Sequence, residues 1–168
     1  MSNSLLIIGA GSFSTEVDEL ARLVGFSDIA YVDDNKDTAR CQPVVGRMND
    51  IPSLREKYDA AIVALGNNET RMKYHQVLKE CNYHIITLIH PTAYVSPDAS
   101  IACGCIIRTN AVVSRYVTLG ESVIINVGAL IDHDCTIEEG CHVLMGAVVR
   151  NKVTVPAGTW IAANQVYE

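Results

Sequence analysis

From Val95 to Ile161 every sixth residue is aliphatic: Val95, Ile101, Ile107, Val113, Leu119, Ile125, Ile131, Ile137, Val143, Val149, Val155 and Ile161. Two places before each stands a small or branched residue, in a series from Ala93 through Cys105, Cys135 and Cys141 to Thr159. A fixed short period marks a stacked repeat, because each unit buries its apolar side only against its neighbours. Six residues suit one short strand and one corner, and three such units close a coil of about 18 residues. The period therefore predicts a left-handed parallel β-helix of about four coils over residues 89–168. The aliphatic position points inward and the small position fits beside it.

The same period separates three outer faces. The residues one before each inward aliphatic stack as Tyr94, Val112, Leu130 and Val148, as Ser100, Thr118, Thr136 and Thr154, and as Ile106, Ile124, His142 and Trp160. The second face is polar and is expected to meet solvent. The other two are apolar and are expected to be covered. Two covered faces and one wet face suit a homotrimer joined through both apolar faces. Cys105, Cys135 and Cys141 fall on the small inward position, which makes them packing residues, and no metal is expected there. His133, two after Ile131, is expected on the first apolar face, flanked by Asp132 and Asp134, whereas His142 lies on the other apolar face. An imidazole fixed by an adjacent carboxylate suits a general base near neutral pH. Two histidines are too few for a histidine-rich metal centre.

Ahead of the repeat, strands and helices alternate. An apolar strand at residues 4–8 leads into Gly9-Ala10-Gly11 and a helix from about Phe13 to Val24. A strand from Asp28 to Val32 ends in Asp33-Asp34. A short helix at 51–57, a strand at 60–65 ending in Gly66-Asn67-Asn68, a helix at 69–81 and a strand at 84–88 follow. This order predicts a Rossmann-like α/β domain over residues 1–88. The glycines and acids resemble a dinucleotide fingerprint whose third glycine is replaced by Ser14. Gly9, Gly11, Asp33, Asp34, Gly66 and Asn67 fall at the carboxyl ends of strands, where parallel sheets bind ligands.

Composition narrows the partners. The 168 residues carry a net charge of −6, which argues against nucleic acid or an anionic membrane. Hydrophobic residues make up 49% and aromatics only 6%, so the core is built from Val, Ile, Leu, Ala and Cys. No apolar run approaches a membrane span, and Met1-Ser2-Asn3-Ser4 lacks the basic start of a leader. A cytoplasmic protein with reduced thiols is expected.

Taken in order, these pieces resemble bacterial sugar acyltransferases of the PglD/NeuD type over nearly the whole chain. The residues that carry the likeness are Gly9-Ala10-Gly11, Tyr31 to Asp34, Ala64 to Asn68 with Arg71, and Leu88 to Ser96. Ile124-Ile125-Asn126, Asp132 to Cys135 and His142 complete it. The resemblance implies transfer of acetyl from acetyl-CoA to a nucleotide-linked amino sugar, UDP-linked, for bacterial surface glycan synthesis. It implies His133 as general base and Asp134 as the acid that orients it. It places Asn126 against the sugar, Asp33 against the nucleotide base, His142 near the thioester and the Asn151 N–H at the oxyanion. Gly9, Gly11, Asp34, Gly66 and Asn67 complete the expected nucleotide-sugar contacts. The alternative is a trimeric homologue that binds a sugar nucleotide without acyl transfer.

Overall fold

The structure is a computed structural model that describes residues 4–168. Met1–Asn3, on which the expected lack of a leader partly rests, lie outside the described residues. The chain divides into two compact units between Ile86 and Thr87.

In the first unit the elements are β1 (Ser4–Ile8), α1 (Ser12–Leu23), β2 (Asp28–Val32), β3 (Val44–Gly46), α2 (Ile51–Leu54), β4 (Ala60–Val63), α3 (Asn68–Glu80) and β5 (His84–Ile85). The strands form one parallel sheet in the order β3-β2-β1-β4-β5. Leu5, Leu6, Ile7 and Ile8 are all fully buried, because the central strand is covered on both faces and has no polar side. Helix α1 buries Ser14, Val17, Leu20 and Ala21, one stripe at helical spacing. Tyr31 of β2 donates its hydroxyl to Asp18 of α1, and Asp18 also pairs with Arg22 at 2.9 Å. Burial first, and then the Asp18 carboxylate, push the Tyr31 phenol far above its ordinary pKa, so it stays a donor.

The second unit consists of two-residue strands that recur every six residues in three parallel sheets. One sheet stacks the strands at 94–95, 112–113, 130–131, 148–149 and 166–167. A second stacks 100–101, 118–119, 136–137 and 154–155, and the third stacks 88–89, 106–107, 124–125, 142–143 and 160–161. Pairs such as Val113↔Ile131 and Ile131↔Val149 set the rung register. The inward residues from Cys105 to Ile161 make one continuous core. The repeat is longer than the aliphatic series at both ends. Leu88–Ile89 pairs with Ile106–Ile107, and Val166–Tyr167 pairs with Val148–Val149.

The expected fold class, a Rossmann-like α/β domain followed by a left-handed parallel β-helix, is corrected by this architecture. Among the described residues, fourteen of nineteen strands belong to β-helix-like parallel sheets, and the helical part at the N-terminus is small. A doubly wound dinucleotide domain needs two βαβαβ halves and about six strands with helices on both faces. Among the described residues only the helices α1 and α3 exceed four residues, and β2 reaches β3 through a 3₁₀ turn at Lys36–Thr38 instead of a crossover helix. The strand expected at 84–88 is divided: His84–Ile85 pairs with Ala60–Ala61, whereas Leu88–Ile89 already belongs to the repeat. The strand Val44–Gly46 lies where the sequence suggests no element, because three residues are too few to leave a pattern.

Two further features of the coil escape a reading of periodicity. The first is the corner. At every sixth place from Gly104 to Asn164 the residue third after the inward aliphatic has positive φ. Glycine fills the place at 104, 128, 140, 146 and 158, and Asn110, Tyr116, Ser122, Asp134, Lys152 and Asn164 fill the rest. The second is cover. Ile106, Ile124 and His142 are outward positions of the third sheet yet are buried, whereas Trp160 of the same sheet is exposed. Tyr94, Leu130 and Val166 of the first sheet are exposed. Ser100, Thr118 and Thr154 of the polar sheet are also exposed. Among the described residues no helix is long and apolar enough to cross a membrane.

Left-handed φ costs a side-chain-bearing residue about 1–2 kcal/mol, least for Asn and most for bulky residues. Tyr116, at φ 60° and on the surface, carries that cost with little packing in return. Tyr116→Asn is expected to raise unfolding free energy by about 1 kcal/mol in urea titration.

Candidate functional site

His133 and Asp134 occupy the corner between the strands 130–131 and 136–137. The corner follows the first apolar sheet and is not part of its face. Asp134 takes the left-handed position at φ 61°. Its N–H donates to the Arg115 carbonyl below at 3.1 Å, while the His133 carbonyl accepts from Lys152 N–H above at 3.0 Å. The corner is thereby held by the coil on either side. His133 N–H donates to Asp132 Oδ1 at 2.8 Å, and His133 Nδ1 meets Asp134 Oδ2 at 2.6 Å. A carboxylate only accepts, so Nδ1 carries a proton, and in the neutral ring Nε2 presents a lone pair. Nε2 has no partner among the described residues, and the ring is 43% exposed. Behind the corner, Cys135 donates its thiol to the Arg150 carbonyl at 3.0 Å, and burial holds that thiol protonated.

A cleft of about 290 Å³ opens at this corner, lined by Tyr94, Ser96, Ser114, Arg115, Asp132 and His133. A second cleft, of about 300 Å³, runs beside it over Val112, Ser114, Leu130, Ile131, Asp132 and Val148. Register places Arg115 one rung below His133 and Asn151 one rung above it. The Asn151 N–H has no hydrogen-bond partner among the described residues, whereas its neighbours Arg150 N–H and Lys152 N–H are both taken.

Asn126 and His142 form a different cluster, buried at the third sheet. Asn126 Oδ1 accepts from Arg108 Nη1 at 3.0 Å and from Val127 N–H at 2.8 Å. Two donors on Oδ1 fix the amide orientation, so Nδ2 faces His142 Nε2 at 3.2 Å. The imidazole must accept there. The Trp160 ring stands edge-on to His142 with centroids 4.7 Å apart. Sequence reasoning missed Arg108 and Arg115. Each stands 18 residues before its partner (126 − 108 and 133 − 115), a spacing that becomes informative once the coil length is known.

In the first unit the expected nucleotide contacts converge on the carboxyl ends of β1, β2 and β4. Gly9 has φ 106° and donates to the Val32 carbonyl, and a Cβ there would meet Leu65 Cδ2 at 2.8 Å and the Ala64 oxygen at 3.0 Å. Gly11 has open space where its Cβ would stand, as does Gly66. Asp33 Oδ2 accepts from Ala10 N–H and Oδ1 from Asn35 N–H, both at 2.8 Å, so this carboxylate ties the glycine turn to β2. Asp34 Oδ1 accepts from Met48 N–H at 3.0 Å. Asn67 caps α3 by accepting from Thr70 N–H at 2.8 Å. Fully buried Arg71 donates to the carbonyls of Leu65 and Gly66, and to Asn68 Oδ1 at 2.9 Å. Ser14, in the place of a third glycine, is buried with its hydroxyl 3.2 Å from the Ala64 oxygen.

The sequence profile of the PglD N-terminal domain matches residues 4–78. Two structures of the acetyltransferase domain of PglB from Neisseria gonorrhoeae resemble the whole chain. The domain alone gives a TM-score of 0.87 at 30% identity, covering 99% of this chain and 92% of that one. Its complex with acetyl coenzyme A gives 0.87 at 29%, covering 99% and 93%. A histidine-to-asparagine mutant of perosamine N-acetyltransferase from Caulobacter crescentus, in complex with CoA and GDP-perosamine, gives 0.86 at 29%, covering 98% and 88%.

Two outcomes follow from this geometry. Gly9→Ala is expected to lower stability by about 1–2 kcal/mol in urea titration, while Gly11→Ala leaves it nearly unchanged. Arg108→Met, which removes one of the donors that hold the buried Asn126 amide, is expected to lower stability by about 1–3 kcal/mol.

Proposed function

This chain belongs to the PglD/NeuD-type family of sugar acyltransferases, and on that premise we propose that it moves acetyl from acetyl-CoA to the amine of a UDP-linked amino sugar. The reaction serves bacterial surface glycan synthesis and takes place in the cytoplasm. The observation that carries this reading is the His133–Asp134 pair, with Nε2 unpartnered, one rung from the unpartnered N–H of Asn151. Those are the two groups that acyl transfer to an amine requires: a base for the proton and a donor for the developing oxyanion.

His133 Nε2 accepts the amine proton as the new C–N bond forms at the acetyl carbon. Asn151 N–H donates to the acetyl oxygen while negative charge collects there. The C–S bond then breaks, and His133 returns its proton to the departing thiolate. Asp134 holds the imidazole in the tautomer that this shuttle needs and offsets its charge. Asn126 contacts the sugar and His142 lies near the thioester. Gly9, Gly11, Asp33, Asp34, Gly66 and Asn67 serve the nucleotide-sugar-binding domain of residues 1–88. Asp33 keeps lone pairs beyond the two that accept from Ala10 and Asn35. The exposed first sheet, with Tyr94, Leu130 and Val166, supplies one contact of a homotrimer.

His133→Ala is expected to lower kcat about 10²–10⁴-fold with little change in KM and an unchanged sedimentation coefficient. An unchanged kcat would overturn the role of His133. A wild-type protein that binds UDP-sugar without consuming acetyl-CoA would instead be the non-catalytic homologue, and preference for a GDP-sugar would move the assignment of the base.

A further inference from the structure

We propose that Arg115, with the hydroxyls of Ser96 and Ser114, forms a subsite for the diphosphate of the sugar nucleotide beside the acceptor amine. The proposal rests on the acetyl-transfer reading above. Arg115, His133 and Asn151 form one column of corners, each about 4.7–4.9 Å from the next. If the Asn151 N–H receives the acetyl oxygen on one side of His133, the acyl donor occupies that side. The acceptor must then approach His133 from the other side, which is the Arg115 side. A pyranose ring is about as wide as one rung, so its anomeric diphosphate falls within reach of a guanidinium one rung below.

The cleft has the composition for such a ligand. Arg115 supplies a planar fork of donors that matches phosphate oxygens. Arg115 is exposed and has no carboxylate partner among the described residues, and its guanidinium stands 6.0 Å from the Tyr116 ring centroid. Ser96 and Ser114 line the same cleft, with Ser96 buried and its Oγ accepting from Asp98 N–H at 3.3 Å. Asp132 also lines it, with Oδ1 held by His133 N–H. A carboxylate next to the base and a guanidinium one rung away suit an acceptor with an amine at one end and a diphosphate at the other. Tyr116, beside Arg115, carries the bulkiest side chain among the left-handed corner residues, at φ 60°.

The test is steady-state kinetics of Arg115→Gln and Arg115→Lys with each substrate varied, alongside calorimetric binding of GDP and of UDP. Arg115→Gln is expected to raise KM for the sugar nucleotide about 10-fold, with kcat within about twofold and KM for acetyl-CoA unchanged. Arg115→Lys recovers part of the loss, because it restores charge without the fork. Nucleoside diphosphate affinity falls in parallel, and its salt dependence flattens in Arg115→Gln. A rise confined to KM for acetyl-CoA would assign the guanidinium to a CoA phosphate and overturn the proposal. Unchanged KM and unchanged diphosphate affinity would overturn it as well. The binding arm needs no turnover, so failure of acetyl transfer in the wild type is separable from failure of this subsite. Unaltered circular dichroism shows that the variants fold.

Discussion

Each coil of the second unit lies on the one before it through main-chain hydrogen bonds offset by one coil. On the first sheet Tyr94 N–H donates to Ala111, Val112 to Ala129, Leu130 to Ala147 and Val148 to Gln165. This register is the constraint on which the site depends. It places residues 18 apart in a column, so that side chains remote in sequence stand one rung apart. A slip of one residue would turn the inward aliphatics outward and dissolve the columns with the core. The column of Arg115, His133 and Asn151 and the pair of Arg108 and Asn126 both result from it.

The corners and the core are matched to this stacking. A left-handed residue at every sixth place turns the chain while main-chain groups keep their partners. Asp134 takes the same left-handed position, and its carboxylate stands 2.6 Å from Nδ1 of His133. The inward cysteines have a related task. Cys105, Cys135 and Cys141 donate their thiols to the carbonyls of Gly120, Arg150 and Pro156. Their place in the packing is therefore both apolar and hydrogen-bonded, as a small residue beside a buried carbonyl requires. Gly120 lies so close to Glu139 N, at 2.5 Å from an added Cβ, that any side chain would force the coils apart.

In the first unit, several residues that read as ligand contacts have structural duties. Asp33 ties the turn after β1 to the end of β2, Asn67 caps α3, and Gly9 allows β1 to turn under Ala64. These duties explain why such residue types cluster at the carboxyl edge of a parallel sheet before any ligand is considered. They also explain why a glycine-and-acid pattern is a weak guide to nucleotide chemistry by itself. Asp33 retains acceptor capacity, so the structural and binding uses are compatible.

Periodicity in the chain was enough to place the inward residues, the small positions beside them and the polar sheet of Ser100, Thr118 and Thr154, because a two-residue strand fixes which way each side chain points. The run Asp132-His133-Asp134, not the period, makes His133 a candidate in the sequence. Periodicity did not give the size of the first unit: alternating strands and helices look alike whether a sheet is complete or small, and a three-residue strand such as Val44–Gly46 leaves no pattern. Nor did it show that Ile106, Ile124 and His142 are buried, because burial depends on what surrounds a position in space. The partners of Asn126, the tautomer of His133 and the unpartnered N–H of Asn151 were decided only by tertiary structure. Hydrogen bonds depend on distance and direction in space, and neither exists until the coils are stacked.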